Sequence, residues 1–139
     1  MKAICYLKQL EKLDAIIENK QIEKAQFMDI ALSITGHSDG ERVQSSRSKQ
    51  RMADAVDRWI QIESEIDSLI DKLVDTKREI IKTIEQLNAK EYDLLHKVYI
   101  QRMTFKEVAA AKGKSVSWAT TVHGRALQSL QKILDRREL

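Results

Sequence analysis

Residues 49–87 carry an apolar repeat that only a long helix satisfies. Val56, Ile70 and Ile84 fall at one heptad position, and Met52, Trp59, Ile66, Leu73, Ile80 and Leu87 fall three residues further on. That is the a and d pattern of a coiled coil. A strand would need alternation with a period of two, and no stretch of useful length shows it. Little interrupts the pattern either, since the 139 residues include no proline and only four glycines. An uninterrupted helix over this stretch would be roughly 58 Å long. Glu63 and Lys77 occupy the intervening a positions, which weakens a simple two-stranded seam and sets register or partner choice there. Ile60, Ile62, Leu69, Val74 and Ile81 widen the stripe and predict more than one neighbour.

One predicted neighbour is an N-terminal helix over residues 2–32, with Leu7, Leu10, Leu13, Ile17, Phe27, Met28 and Ala31 at near-heptad spacing. Between the two helices, Ser33 to Ser48 is rich in serine with Gly36 and Gly40 and reads as a mobile loop. The chain is therefore expected to be all-α, opening with a coiled-coil-like helical hairpin over residues 1–87. Two such helices cannot bury so wide a stripe alone. Self-association is expected, with a dimer as the default, through Val56, Trp59, Ile66, Ile70, Leu73 and Ile80. Asn88 with Glu91 is a capping pattern that starts a new helix near Ala89, so a second domain is expected over 88–139, folding without the first 48 residues.

Within that second domain the spacing from Thr104 to Val122 describes two short helices meeting at a glycine turn, a helix-turn-helix. Thr104 and Glu107 form a capping box that starts a helix at Phe105. Val108 faces inward, and Ala109 is small where two crossing backbones come close. Gly113 suits the left-handed turn, and Ser115 caps the next helix. Ala119, Val122 and Ala126 make that helix's inward stripe. Val116, Ser117, Thr120 and Thr121 share the opposite face, where they would meet base edges of duplex DNA. Gly124 continues that face without a side chain, and Trp118 falls on its flank, packing at the domain edge. Lys106, Lys112, Lys114, Ser115 and Arg125 bracket the helix ends and are the expected phosphate contacts.

Charge supports the same partner. The whole chain carries 24 basic and 21 acidic residues, a net +3. Residues 100–139 hold eight basic against three acidic side chains, a net +5, and the other 99 residues come to −2. Positive charge collects where the motif sits, as contact with phosphates requires.

From Tyr99 to Leu130 the chain resembles the DNA-binding half of region four of bacterial sigma factors. Thr104-Phe-Lys-Glu-Val-Ala109 matches its first helix and His123-Gly-Arg-Ala-Leu127 its exit, with Leu94, Leu95, Val98 and Tyr99 on the preceding helix. The closer resemblance is to short phage-encoded regulators of Gram-positive bacteria, of the ArpU/RinA type. It implies a sigma-region-four-like bundle at the end of the chain and activation of late or packaging genes from promoter DNA. It also implies that residues 116, 117, 120 and 121 occupy promoter-reading positions. The chain departs from the pattern there, carrying no Arg, Glu or Gln, and again at Lys112 and Lys114, which replace apolar residues.

Catalysis is not expected. Cys5 is the only cysteine and reads as a packing residue in a reducing compartment. His37, His96 and His123 lie in separate segments without metal-ligand spacing, and neither a phosphate loop nor a nucleophile elbow occurs. No cofactor, metal or membrane partner is called for, and no signal peptide or membrane span is evident, so a soluble, cytoplasmic protein is expected. Two alternatives stand beside the regulator: a small terminase-like recognition subunit for DNA packaging, and an adaptor that binds host RNA polymerase or sigma factor.

Overall fold

The computed structural model describes residues 1–36 and 46–139, and among them every regular element is helical. Helix α1 spans Ala3–Gly36 and α2 spans Ser46–Ile84. Then follow α3 at Ala89–Leu95, running on into a π-helical turn at His96–Ile100, α4 at Phe105–Lys112, and α5 at Val116–Arg137. The expected loop is shorter than its serines suggested, because Ser33–Gly36 and Ser46–Ser48 are helical. Its remainder, residues 37–45 with His37 and Gly40, lies outside the described residues.

By compactness the chain forms two units, Met1–Leu13 with Leu73–Leu139, and Asp14–Lys72. In the second unit, α1 and α2 run antiparallel, with Lys20 paired to Glu65 at 2.8 Å and Lys24 to Glu63 at 3.3 Å. These partly exposed pairs contribute little energy. The apolar interior, with Ile17, Ala31, Ala55, Ile62 and Ile66 buried, carries the stability.

In the first unit the start of α1 and the end of α2 also run antiparallel, but here they help to build the C-terminal bundle. Tyr6, Leu7 and Leu10 of α1 and Ile80 and Ile84 of α2 share one buried cluster with Leu95 of α3 and with Ala126, Leu130 and Leu134 of α5. The boundary expected at residues 87 and 88 thus runs inside this unit. The reason is geometric: α5 is 22 residues long, and its second half reaches beyond the helix-turn-helix to need cover of its own. A polar clamp reinforces the junction. The Tyr6 hydroxyl donates to Glu79 Oε2 at 2.7 Å and lies 2.9 Å from the buried Thr83 hydroxyl. Arg137, in the last turn of α5, donates to Glu79 Oε1 at 3.0 Å and to Thr83 Oγ1 at 2.6 Å. Burial raises the Tyr6 pKa, keeping the phenol protonated as a donor.

The heptad of α2 is corrected in its face. Fully buried positions include Ile62 and Thr83 at g, Ile80 at d and, at the end of the helix, Ile84 at a, whereas the a residue Ile70 is 40% exposed and Ile60 57%. A straight α-helix drifts against a strict seven-residue repeat, so α1 covers the g and d rows. Ile66 and Ile80, expected at an oligomer seam, are therefore used inside the chain. Val56, Trp59 and Leu73 are half-buried and Ile70 is exposed. Cys5, expected to pack, is exposed on α1.

Candidate nucleic-acid interface

The helix-turn-helix forms from local rules. Thr104 accepts the Glu107 N–H at 3.1 Å while Glu107 accepts the Thr104 N–H at 3.3 Å, closing the capping box that starts α4. At the other end Gly113 takes φ +65°, the Gly113 N–H donates to the Ala110 carbonyl at 3.2 Å, and the Lys114 N–H donates to the Ala109 carbonyl at 2.9 Å. This is a Schellman ending. Ser115 then accepts the Trp118 N–H at 3.1 Å and starts α5. In this cap the hydroxyl oxygen is the acceptor, so the Ser115 O–H is not consumed by it.

The inward residues come together as expected. Val108 and Ala109 of α4, Ala119 and Val122 of α5, and Leu94 of α3 make one buried cluster, with Val98, Met103, Phe105 and Trp118 packed on its margin. The π-helical turn supplies the reach of the preceding segment. Its wider spacing lets Val98 face this cluster while Tyr99 and Ile100 face the α1–α2 cluster. Just beyond its end, Arg102 takes φ +60° and the Met103 N–H donates back to the Lys97 carbonyl at 2.9 Å.

Val116, Ser117, Thr120 and Thr121 are all exposed, opposite the buried Ala119, Val122 and Ala126. The Thr120 hydroxyl donates to the Val116 carbonyl at 3.0 Å. Its donor is thus used within the helix, and what Thr120 presents outward is its methyl and an acceptor. Gly124 sits on the same side, and a Cβ there would meet nothing within 4 Å.

The cations divide. Lys106, Lys114 and Arg125 are exposed. Lys112 has a partner inside the bundle, because its ammonium meets Asp93 Oδ2, while Lys97 binds Oδ1 at 2.8 Å. Burial pushes the Asp93 pKa up, but the two lysines together hold it below its ordinary value. Lys112 therefore ties the end of α4 to α3 and is not the free phosphate contact its position suggested.

One cluster escaped sequence reasoning. The His123 ring, half-buried on α5, lies edge-on to Phe105 with centroids 4.9 Å apart, and its Nε2 is 2.8 Å from the Tyr99 hydroxyl. Burial lowers the His123 pKa and, with a contribution from Glu11, pushes that of Tyr99 up to about 12. Both shifts favour one arrangement, a protonated phenol donating to a neutral imidazole. The only hint in the sequence was a polar ring on the margin of an apolar stripe.

Among the described residues no group of three or more His, Cys, Asp or Glu side chains could hold a metal, and no helix is long and apolar enough to cross a membrane. No protein-family model, curated protein or solved structure matches the chain.

Proposed function

We propose that this protein is a DNA-binding transcriptional regulator, acting by binding rather than catalysis, that docks the exposed face of α5 in a major groove. The observation that carries the reading is that face: Val116, Ser117, Thr120 and Thr121 project from a helix whose opposite stripe is buried on α4 and α3. The net +5 over residues 100–139 supplies the long-range attraction to phosphates. The resemblance to sigma-region-four domains of phage regulators of the ArpU/RinA type points to promoters of phage or phage-related late or packaging genes, with activation as the expected sign and contact with host RNA polymerase as its route. A DNA partner places the protein in the cytoplasm.

Small hydroxyls and methyls discriminate bases weakly, so one copy has modest specificity. We assign the remainder to pairing of copies, a dimer by default, through the second unit, where Ile22, Ile60 and Ile70 are exposed.

The test is a binding titration on genomic fragments selected by footprinting. Ser117→Asp with Thr121→Asp places two carboxylates against the duplex while leaving the buried stripe untouched. Affinity is expected to fall by more than about tenfold with the melting temperature unchanged. Native affinity in that variant would remove α5 from the interface.

A further inference from the structure

We infer that Lys90, at the start of α3 and outside the helix-turn-helix itself, is a duplex phosphate contact, forming with Lys114 and Arg125 a line of cations along one flank of α5. The inference rests on the DNA-binding reading and extends its footprint to a third helix. Two surface clefts meet at Ala89 and Lys90. One is bounded by Lys114 and Trp118, the other by Val122 and Arg125. Trp118, Val122 and Arg125 are spaced four and three residues apart, so they form one flank of α5. Lys90 therefore stands beside the middle of that flank, with Lys114 just before the helix and Arg125 further along it. All three cations are exposed.

The carboxylates in the two clefts already have partners. Asp93 is held by Lys97 and Lys112, and Glu91 Oε1 accepts from the Ser129 hydroxyl at 3.2 Å. Asp93 is thereby neutralised, and although Glu91 keeps its charge, the exposed charged groups along this flank of α5 are the three cations. A ridge of ammonium and guanidinium groups parallel to a helix that lies in the groove fits the phosphates of the strand bordering that groove. Lys90 also sits where helix electrostatics disfavours a cation, in the first turn of α3, so its removal leaves folding intact.

The experiment is a salt titration of full-length protein on several short duplexes of unrelated sequence, comparing native protein with Lys90→Ala, Lys90→Arg and Lys112→Ala. Lys90→Ala is expected to weaken binding to every duplex and to reduce the slope of log affinity against log salt by about 0.9, one phosphate's share. Lys90→Arg should keep the native slope, and Lys112→Ala should keep it as well. A native slope in Lys90→Ala, with native protein binding normally, overturns the assignment of Lys90 and leaves the DNA reading standing. Absence of salt-dependent binding by native protein overturns both.

Discussion

Gly113 is the residue whose backbone the turn cannot do without. At φ +65° an alanine carries the left-handed penalty, and since its Cβ would meet nothing within 4 Å the cost is conformational alone. Gly113→Ala is expected to lower stability by about 1 kcal/mol in denaturant unfolding. Gly124 gives the opposite sign. It lies inside α5 with open space around it, so Gly124→Ala should raise stability by up to about 1 kcal/mol. On the DNA reading the same change weakens duplex binding, because a methyl group then stands between helix and backbone. His123 adds a pH dependence. Its folded pKa lies below the ordinary 6.5, so the unfolded chain takes up the proton first as pH falls. Stability is expected to be full above about 6.5, to fall between that value and the lowered folded pKa, and to level off below it. His123→Phe should flatten this window in thermal melts, and an unchanged profile would discard the assignment. The caps and the turn glycine were legible because each involves neighbours along the chain. The His123 cluster was not, since Tyr99, Phe105 and His123 meet only once three segments have folded.

At the scale of elements, periodicity identified the helices but not the rows they bury. The repeat of α2 was read as an a and d seam, and α1 covers its d and g rows. Ile62 and Ile80, both 0% exposed, therefore belong to the fold, and Ile60 and Ile70 are available to a partner. Ile62→Ala should destabilise the protein by about 2–5 kcal/mol. Ile60→Lys with Ile70→Lys should leave the melting temperature near native and reduce the mass measured by light scattering to that of a monomer. An unchanged mass would place self-association elsewhere. Helix α5 has a similar division of labour. Its first half packs Ala119 and Val122 beneath the exposed face of Val116, Ser117, Thr120 and Thr121, and its second half packs Ala126, Leu130 and Leu134 against α1 and α2.

For the whole molecule, that second half makes the C-terminal bundle dependent on the two ends of the long helices. A fragment of residues 88–139 would expose Leu95, Ala126, Leu130 and Leu134, and would lose the clamp of Tyr6, Glu79, Thr83 and Arg137. It is expected to show no cooperative thermal transition by circular dichroism, and Leu7→Ala in the full chain should cost about 2–5 kcal/mol. A fragment that melts cooperatively would restore the boundary at residue 88. The local order of this protein, its helices, caps, glycine turn and the four-residue exposed face of α5, follows from spacings within a few residues, because backbone hydrogen bonds and amphipathic faces are short-range properties. Which apolar row meets which neighbour, which lysine is neutralised by Asp93, and where one compact unit ends are long-range outcomes. They depend on contacts between segments far apart in the chain, which tertiary packing alone chooses.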